Sequence, residues 1–171
     1  MPRPSGGSLS CHVDRQGVSV RLLLRFELDH ERYAVSSELV REVQRAALPA
    51  ALPNAPPIVQ GLLNVRGELV PLVDLRAKLR LPERPLHATD HLVICRVHER
   101  TLCFAVDRAI DILEIESDRV IATETVASAG RRMSDHVARL ADGLMLIPDL
   151  AALLDADAEL LLDRALSAAG R

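Results

Sequence analysis

Between residues 22 and 29 the chain alternates strictly. Leu22, Leu24, Phe26 and Leu28 fall on one side, and Arg25, Glu27 and Asp29 on the other. A period of two is the mark of a strand with one buried face. The polar stretch from Asp29 to Arg32 then reads as a turn, and residues 33–35 as the returning partner strand. Ser36 and Ser37 are placed to cap a short helical turn reaching Val40, with 42–46 extended after it. Pro49, Pro53, Pro56 and Pro57 interrupt regular structure before the next sheet segment.

A second pair of strands, 62–65 and 68–73, flanks Arg66 and Gly67, a loop of hairpin length. Both faces of this pair are apolar, which predicts cover on two sides. Pro71 lacks an N–H for the ladder and is expected at an edge or a bulge. Asp74 stands at a helix N-cap position ahead of Leu75, Ala77, Leu79 and Leu81. A third hairpin, 91–106, is predicted to turn at Glu99-Arg100, setting Val93, Cys95 and Val97 opposite Val106, Phe104 and Leu102. Further strands are expected at 109–115, 119–123, 136–140 and 144–147. Asp149 would cap a turn through Leu154, and an amphipathic helix would close the chain at about 156–168. Many short strands with few helices predict an all-β barrel or sandwich.

Composition narrows the options. Hydrophobic residues make up 49% of the 171, yet aromatics are only 2%, so the core must be aliphatic and stacking platforms for single-stranded nucleic acid are scarce. A net charge of -3 gives no attraction to nucleic acid or an anionic membrane, and neither is expected as a partner. No window approaches the ~18 uninterrupted apolar residues of a spanning helix, so no membrane insertion is expected. The first 17 residues, rich in Pro, Ser and Gly, read as a flexible lead-in to one domain over 18–168. Three scattered cysteines form no disulfide framework, which suits a reducing cytoplasm.

Chemistry is sparse. The six histidines show no HxxxH or HxH spacing and there is no CxxC, so neither metal nor cofactor is expected. In the register above Cys95 and Cys103 point to opposite faces and read as small core residues. Asp107 follows a strand and Asp135 sits in a polar stretch, where solvation is the simpler reading. No carboxylate pair, GxSxG or GxGxxG is present, and no enzyme activity is expected.

The order of these elements resembles the CheW family of bacterial chemotaxis coupling proteins over roughly 22–166. FELDHERYAV resembles its first hairpin, and VREV at 40–43 the segment before its Pro-rich loop. GLLNVRGELVPLVDL at 61–75 is similar to its Gly-x-x-Asn-x-Arg-Gly turn and Val-Pro-x-Val-Asp-Leu strand. VDRAIDILEI and ELLLDRALSA resemble a later strand and the closing helix. The resemblance implies an all-β fold of two five-stranded SH3-like barrels packed side by side, without catalysis or cofactor. It also implies a cytoplasmic adaptor tethering a CheA-type histidine kinase, through its regulatory domain, to the tips of membrane-bound chemoreceptors. Other CheW-like copies are further partners. No kinase domain precedes the match and no receiver domain follows it, so a coupling protein is expected. A member that only fills array rings, or serves a pathway unrelated to swimming, stays open, and so does a small-molecule-binding barrel.

Carried over residue by residue, the resemblance makes Arg66 a receptor contact paired with Glu42, and Val40 a receptor-facing apolar residue. From the residues alone Arg66 could equally be solvated and Val40 part of the core. Gly61 and Gly67 are read as a close approach and a positive φ, and Asn64 as a backbone hydrogen-bonder. With Pro71 they shape the turn. His91 and the stretch from Ile121 to Val126 correspond to kinase-facing edges. Cys103 and Ala138 stand where the family has Gly, and Pro148 replaces an apolar strand residue. All three are expected in the second barrel.

Overall fold

A computed structural model describes residues 12–13, 17–126 and 132–170, with the side chains of 123–135 excluded. Twelve strands form two sheets. The outer sheet combines β1 (His12–Val13), β2 (Ser19–Leu28) and β3 (Glu31–Ser36) with four later strands. These are β9 (Arg108–Glu116), β10 (Val120–Val126), β11 (Arg132–Leu140) and β12 (Gly143–Ile147). The inner sheet holds β4 (Val40–Arg45), β5 (Val59–Val65), β6 (Glu68–Val73), β7 (His91–Val97) and β8 (Arg100–Val106), in the order β4-β7-β8-β6-β5. The inner barrel is thus one contiguous stretch of chain, nested between the two halves of the outer one.

Five strands are expected in each barrel. The inner sheet has five, while the outer is 7-stranded. Part of the excess is β1, whose two residues pair with Ser19 and Val20 along the edge of β2 that β3 occupies further on. These residues fall inside the expected lead-in; the rest of that lead-in, Gly17 excepted, lies outside the described residues.

Two barrels produce three cores, and they explain the sequence pattern. Leu63, Val65, Val70, Leu72, Leu92, Ile94 and Cys103 fill the inner barrel. Leu23, Ala34, Ile115, Ala138, Met145 and Ile147 fill the outer one. The seam between the barrels takes Leu24, Phe26, Leu28, Val93, Cys95 and Phe104, closed off by Leu162 and Ala165 of the final helix, α2 (Ala156–Ala169). All three aromatic residues meet in that seam. Phe26 lies 5.9 Å from Tyr33 and 5.7 Å from Phe104 between ring centroids, within the range of favourable aromatic pairs. β2 is therefore buried on both faces, since Leu23 enters the outer barrel while Leu24 and Phe26 enter the seam. Cys95 and Cys103 do face opposite ways, one into the seam and one into the inner barrel.

Several local expectations are corrected. The β7–β8 turn falls at His98-Glu99, not Glu99-Arg100, so Val93 pairs with Phe104, Cys95 with Leu102 and Val97 with Arg100. A two-residue slip keeps every side chain on its face, so the hydrophobic pattern is blind to it. His98 takes a left-handed φ of 52° at this turn. Pro71 lies on neither an edge strand nor a bulged one. It is buried in β6, an interior strand, and the parallel pairing with β8 begins one residue later, at Leu72. Ser36 makes no side-chain cap to the 3-10 turn Ser37–Leu39. Asp74 does cap α1 (Leu75–Leu79), accepting from Ala77 N at 3.0 Å. Cys103 belongs to the inner barrel, with Arg66, so the three departures from the family are not confined to one barrel. Pro148 lies just beyond β12 rather than within it.

Asp107 is the largest departure from expectation. It is not a solvated carboxylate but the hub of an ion cluster where the chain crosses from β8 to β9. Its Oδ1 accepts from Arg76 Nη2 at 2.7 Å and from Arg84 Nη2, and its Oδ2 accepts from Asp29 N at 2.7 Å. Arg84 also forms a bidentate pair with buried Asp90, at 2.8 and 2.9 Å. Arg76, itself buried, donates to Pro82 O and lies 3.7 Å from the Asp29 carboxylate. The cluster thus ties the β2–β3 turn of the outer barrel to α1 and the connection entering β7.

Burial pushes the Asp107 and Asp90 carboxyls up. Hydrogen bonds from the arginines and from the Asp29 and His87 backbone N–H outweigh it, holding both below the usual carboxylate range. Because their folded values lie below the unfolded ones, the stability they contribute is present at neutral pH. It is lost as pH falls through and below about 4. Asp107→Asn is expected to cost about 2 kcal/mol at pH 7, the scale of hydrogen bonds to a charged group. Urea melts at pH 7 and pH 3 check this: the gap between wild type and variant should shrink at the lower pH. A pH-independent gap would refute the electrostatic account.

Candidate protein-binding face

In the sheet order, β4 and β5 are the two edges of the inner sheet, and contacts at its two ends help to close it into a barrel. At one end, Ala50 exchanges two backbone hydrogen bonds with Leu62, each 2.8 Å. At the other end, Arg66 Nη2 lies 2.6 Å from Glu42 Oε2, linking the tip of the β5–β6 hairpin to β4. Beside it, Arg41 donates to Glu68 Oε2 at 2.8 Å and to Thr101 Oγ1 at 3.0 Å. Arg41 is the bulged residue of β4, where pairing with β7 skips from Val40–Cys95 to Glu42–Ile94. The hydrogen bond from Arg41 draws the Glu68 carboxyl below its usual value.

The turn residues make this closure possible, each for its own reason. Gly61 has φ 148°, and a Cβ there would lie 2.5 Å from the carbonyl oxygen of Ala50, the atom that accepts from Leu62 N. Only glycine permits that backbone approach. Gly67 needs its φ of 88° but meets nothing within 4 Å. Arg66 shares the left-handed region at φ 53°, giving a two-residue turn whose twist suits a hairpin. Asn64 Oδ1 accepts from Gly67 N at 2.8 Å and fixes the turn from inside.

Of the residues singled out in the sequence, Val40, Glu42, Arg66, Asn64 and Gly67 are gathered on or beside this barrel mouth, while Gly61 lies at the other end, against Ala50. Arg66 is the projecting member, with its side chain 82% exposed against 21% for Glu42. Val40 is half-buried and packs against the seam core. Val43, one residue beyond Glu42, is 37% exposed and adds an apolar position that the sequence reading left out. Its signal was present, since it continues the VREV segment.

The expected kinase-side residues are placed differently. His91 opens β7, which lies between β4 and β8, so it is not on a sheet edge. Its Nδ1 is buried without a protein hydrogen bond. Ile121 is on β10, which is an edge strand of the outer sheet, and is 36% exposed. Val126 ends the same strand, and its side chain lies outside the described residues. Ile121 and Val126 belong to the outer sheet, whereas His91 and the hairpin of Arg66 belong to the inner one. Among the described residues, no three His, Cys, Asp or Glu side chains are grouped to hold a metal ion, and no helix is long and apolar enough to cross a membrane. Burial pushes the Cys95 thiol up to about 12 and the Cys103 thiol further, which leaves both thiols protonated and unreactive.

Fold and face define a nested double β-barrel with one exposed arginine fixed at a barrel mouth. The CheW-like domain pattern matches residues 22–158, and the chain belongs to that family. It is 27% identical over 134 residues to the chemotaxis protein CheW of Bacillus subtilis (strain 168), covering 78% of this chain and 86% of that one. With the chemotaxis protein CheW of Treponema pallidum (strain Nichols) the identity is 24% over 133 residues, with 75% and 78% covered. Among solved structures, the scaffolding protein TtCheW of Thermoanaerobacter tengcongensis superposes with a TM-score of 0.72 at 20% identity. That match covers 81% of this chain and 94% of the other.

The two glycines separate conformational from steric demand. Gly67→Ala should cost about 1 kcal/mol, the penalty of a left-handed alanine. Gly61→Ala should cost about 2–3 kcal/mol, because it also displaces the Ala50–Leu62 pair. Chemical denaturation of both variants tests the order, and amide exchange at Leu62 should accelerate only in Gly61→Ala.

Proposed function

We propose that this chain is a non-catalytic adaptor that couples the cytoplasmic tip of a methyl-accepting chemoreceptor to a CheA-type histidine kinase. One observation carries the receptor half of this reading. The most exposed charged group of the barrel mouth, Arg66, is held by a strained turn and by Glu42, an arrangement that orients a cation toward a partner. An exposed ion pair contributes only about 0–1 kcal/mol to folding, so the stability gained does not account for the left-handed conformation at Arg66. Interfaces instead favour arginine as an anchor. Val40, Glu42 and Arg66 form the receptor contact in this reading, with Val43 adding apolar area. The resemblance to proteins named for chemotaxis supports the partner class.

The kinase half rests on the outer barrel. Among the described residues β10 has one backbone edge without a partner strand, which suits docking of one barrel to another. Ile121 is the exposed apolar residue of that edge, and Val126 is assigned to it with β10. His91, on an interior strand, is the least suited of the three. In this reading the protein works in the cytoplasm, at receptor arrays, and other CheW-like copies compete for the same edges.

Arg66→Asp should weaken binding to a receptor tip fragment at least about tenfold, the scale of an interface arginine, while the melting temperature changes by under about 2 °C. Binding to a kinase regulatory domain should be retained. Isothermal titration of the variant against both partners tests this. Unaltered receptor affinity removes Arg66 from the interface, and wild type that binds neither partner overturns the adaptor reading.

A further inference from the structure

Val40 and Glu42 are two residues apart, a spacing that puts both on one face of a regular strand. The bulge at Arg41 breaks that rule. Val40 opposes Cys95, which faces the seam, whereas Glu42 opposes Ile94, which fills the inner barrel. Directly opposed residues share a face. In an unbroken register Glu42 would oppose Val93 and share its seam-facing side. The extra residue therefore turns Glu42 from the seam toward the barrel mouth and Arg66, which is a known use of bulges.

The side chain of Arg41 fastens this irregular point. One nitrogen, Nη1, donates to Glu68 Oε2 at 2.8 Å and to Thr101 Oγ1 at 3.0 Å, and Thr101 is a buried residue of β8. Thr101 also hydrogen-bonds Glu68, so β4, β6 and β8 meet in one triangle of side chains. Glu68 is the first residue after the Arg66-Gly67 turn. Its strand gains a ladder to β8 only from Leu72 onward, so side chains tie the tip of the hairpin to β8. Arg41 acts on both members of the Arg66–Glu42 pair. It holds the bulge that aims the glutamate and the strand start that follows the arginine. The side chains of Arg41 and Glu68 are 42% and 45% exposed, where an ion pair adds little to folding.

We propose that Arg41 is a positioning residue for partner recognition, holding the Arg66 guanidinium where it meets the receptor. The claim rests on the reading of Arg66 as a receptor contact. Losing Arg41 then costs affinity by freeing Arg66, while the barrel stays folded.

Two substitutions in the full-length chain separate these effects. Arg41→Met keeps an apolar stem and removes the donors, whereas Arg41→Lys keeps one nitrogen able to serve both acceptors. Nitrogen-15 relaxation of the Arg66 Nε–H group should show faster motion in Arg41→Met and near wild-type motion in Arg41→Lys. In isothermal titration Arg41→Met should bind a receptor tip fragment about three- to tenfold more weakly, the scale of ordering one long side chain on binding. Arg41→Lys should recover most of that loss, and affinity for a kinase regulatory domain should hold. In an Arg66→Ala background Arg41→Met should cost nothing further, since both act through one group. An Arg66 side chain equally ordered in Arg41→Met and wild type overturns the proposal, as does an additive loss in the Arg66→Ala background. A melting temperature lowered by more than about 5 °C in Arg41→Met makes the residue structural and also overturns it. Unaltered receptor affinity in Arg66→Ala instead removes the contact itself. The relaxation data need no receptor, and so tell the two failures apart.

Discussion

The position of Asp107 constrains everything around it. At this residue the chain leaves the inner barrel and re-enters the outer one, so a charged group is drawn into the junction. There it is tolerable only because two arginines and a backbone N–H converge on it. Removing one partner from such a cluster leaves the others desolvated without compensation, which makes the network behave as a unit. The hydrophobic seam supplies the attraction between the barrels but little direction. The cluster supplies direction, fixing the β2–β3 turn, α1 and the loop before β7 relative to one another.

Within that frame the inner barrel solves a second problem. Its sheet has two edges, and open edges invite unwanted pairing. Closure comes from one backbone pair at Ala50 and Leu62 and from side-chain pairs at the opposite mouth. Stability and partner recognition are linked here through geometry more than energy. The same contact that completes the barrel limits where the Arg66 guanidinium can travel. A long side chain already ordered before binding loses less entropy when a partner arrives.

The sequence made the strands legible and the long-range electrostatics invisible. The alternation from Leu22 to Leu28 located β2 but took no account of Leu23, because a single strand does not reveal a second core behind it. The β7–β8 pairing was right in its faces and wrong by two residues, since the pleat repeats every two. Pro71 was expected at an edge or a bulge, but it sits on an interior strand whose pairing with β8 starts one residue later, which only the sheet order exposes. Asp107 looked solvated because its partners Arg76 and Arg84 come from another element, and no spacing rule joins them. The Arg66–Glu42 contact likewise follows from no local pattern; it came from the resemblance.

The nesting of one barrel within the other has a consequence for how the chain reaches this state. All pairings of the inner barrel lie between Val40 and Val106, whereas the outer barrel must bring Tyr33 beside Leu146. The entropy of closing a loop grows with its length. A collapsed inner barrel converts that long excursion into a compact body whose ends already lie near each other. The outer sheet, whose strands come from both sides of the inner barrel in sequence, is therefore the part whose assembly is slowed most by anything that delays the inner one. A fault at Gly61, although distant from β12, would be felt there as time.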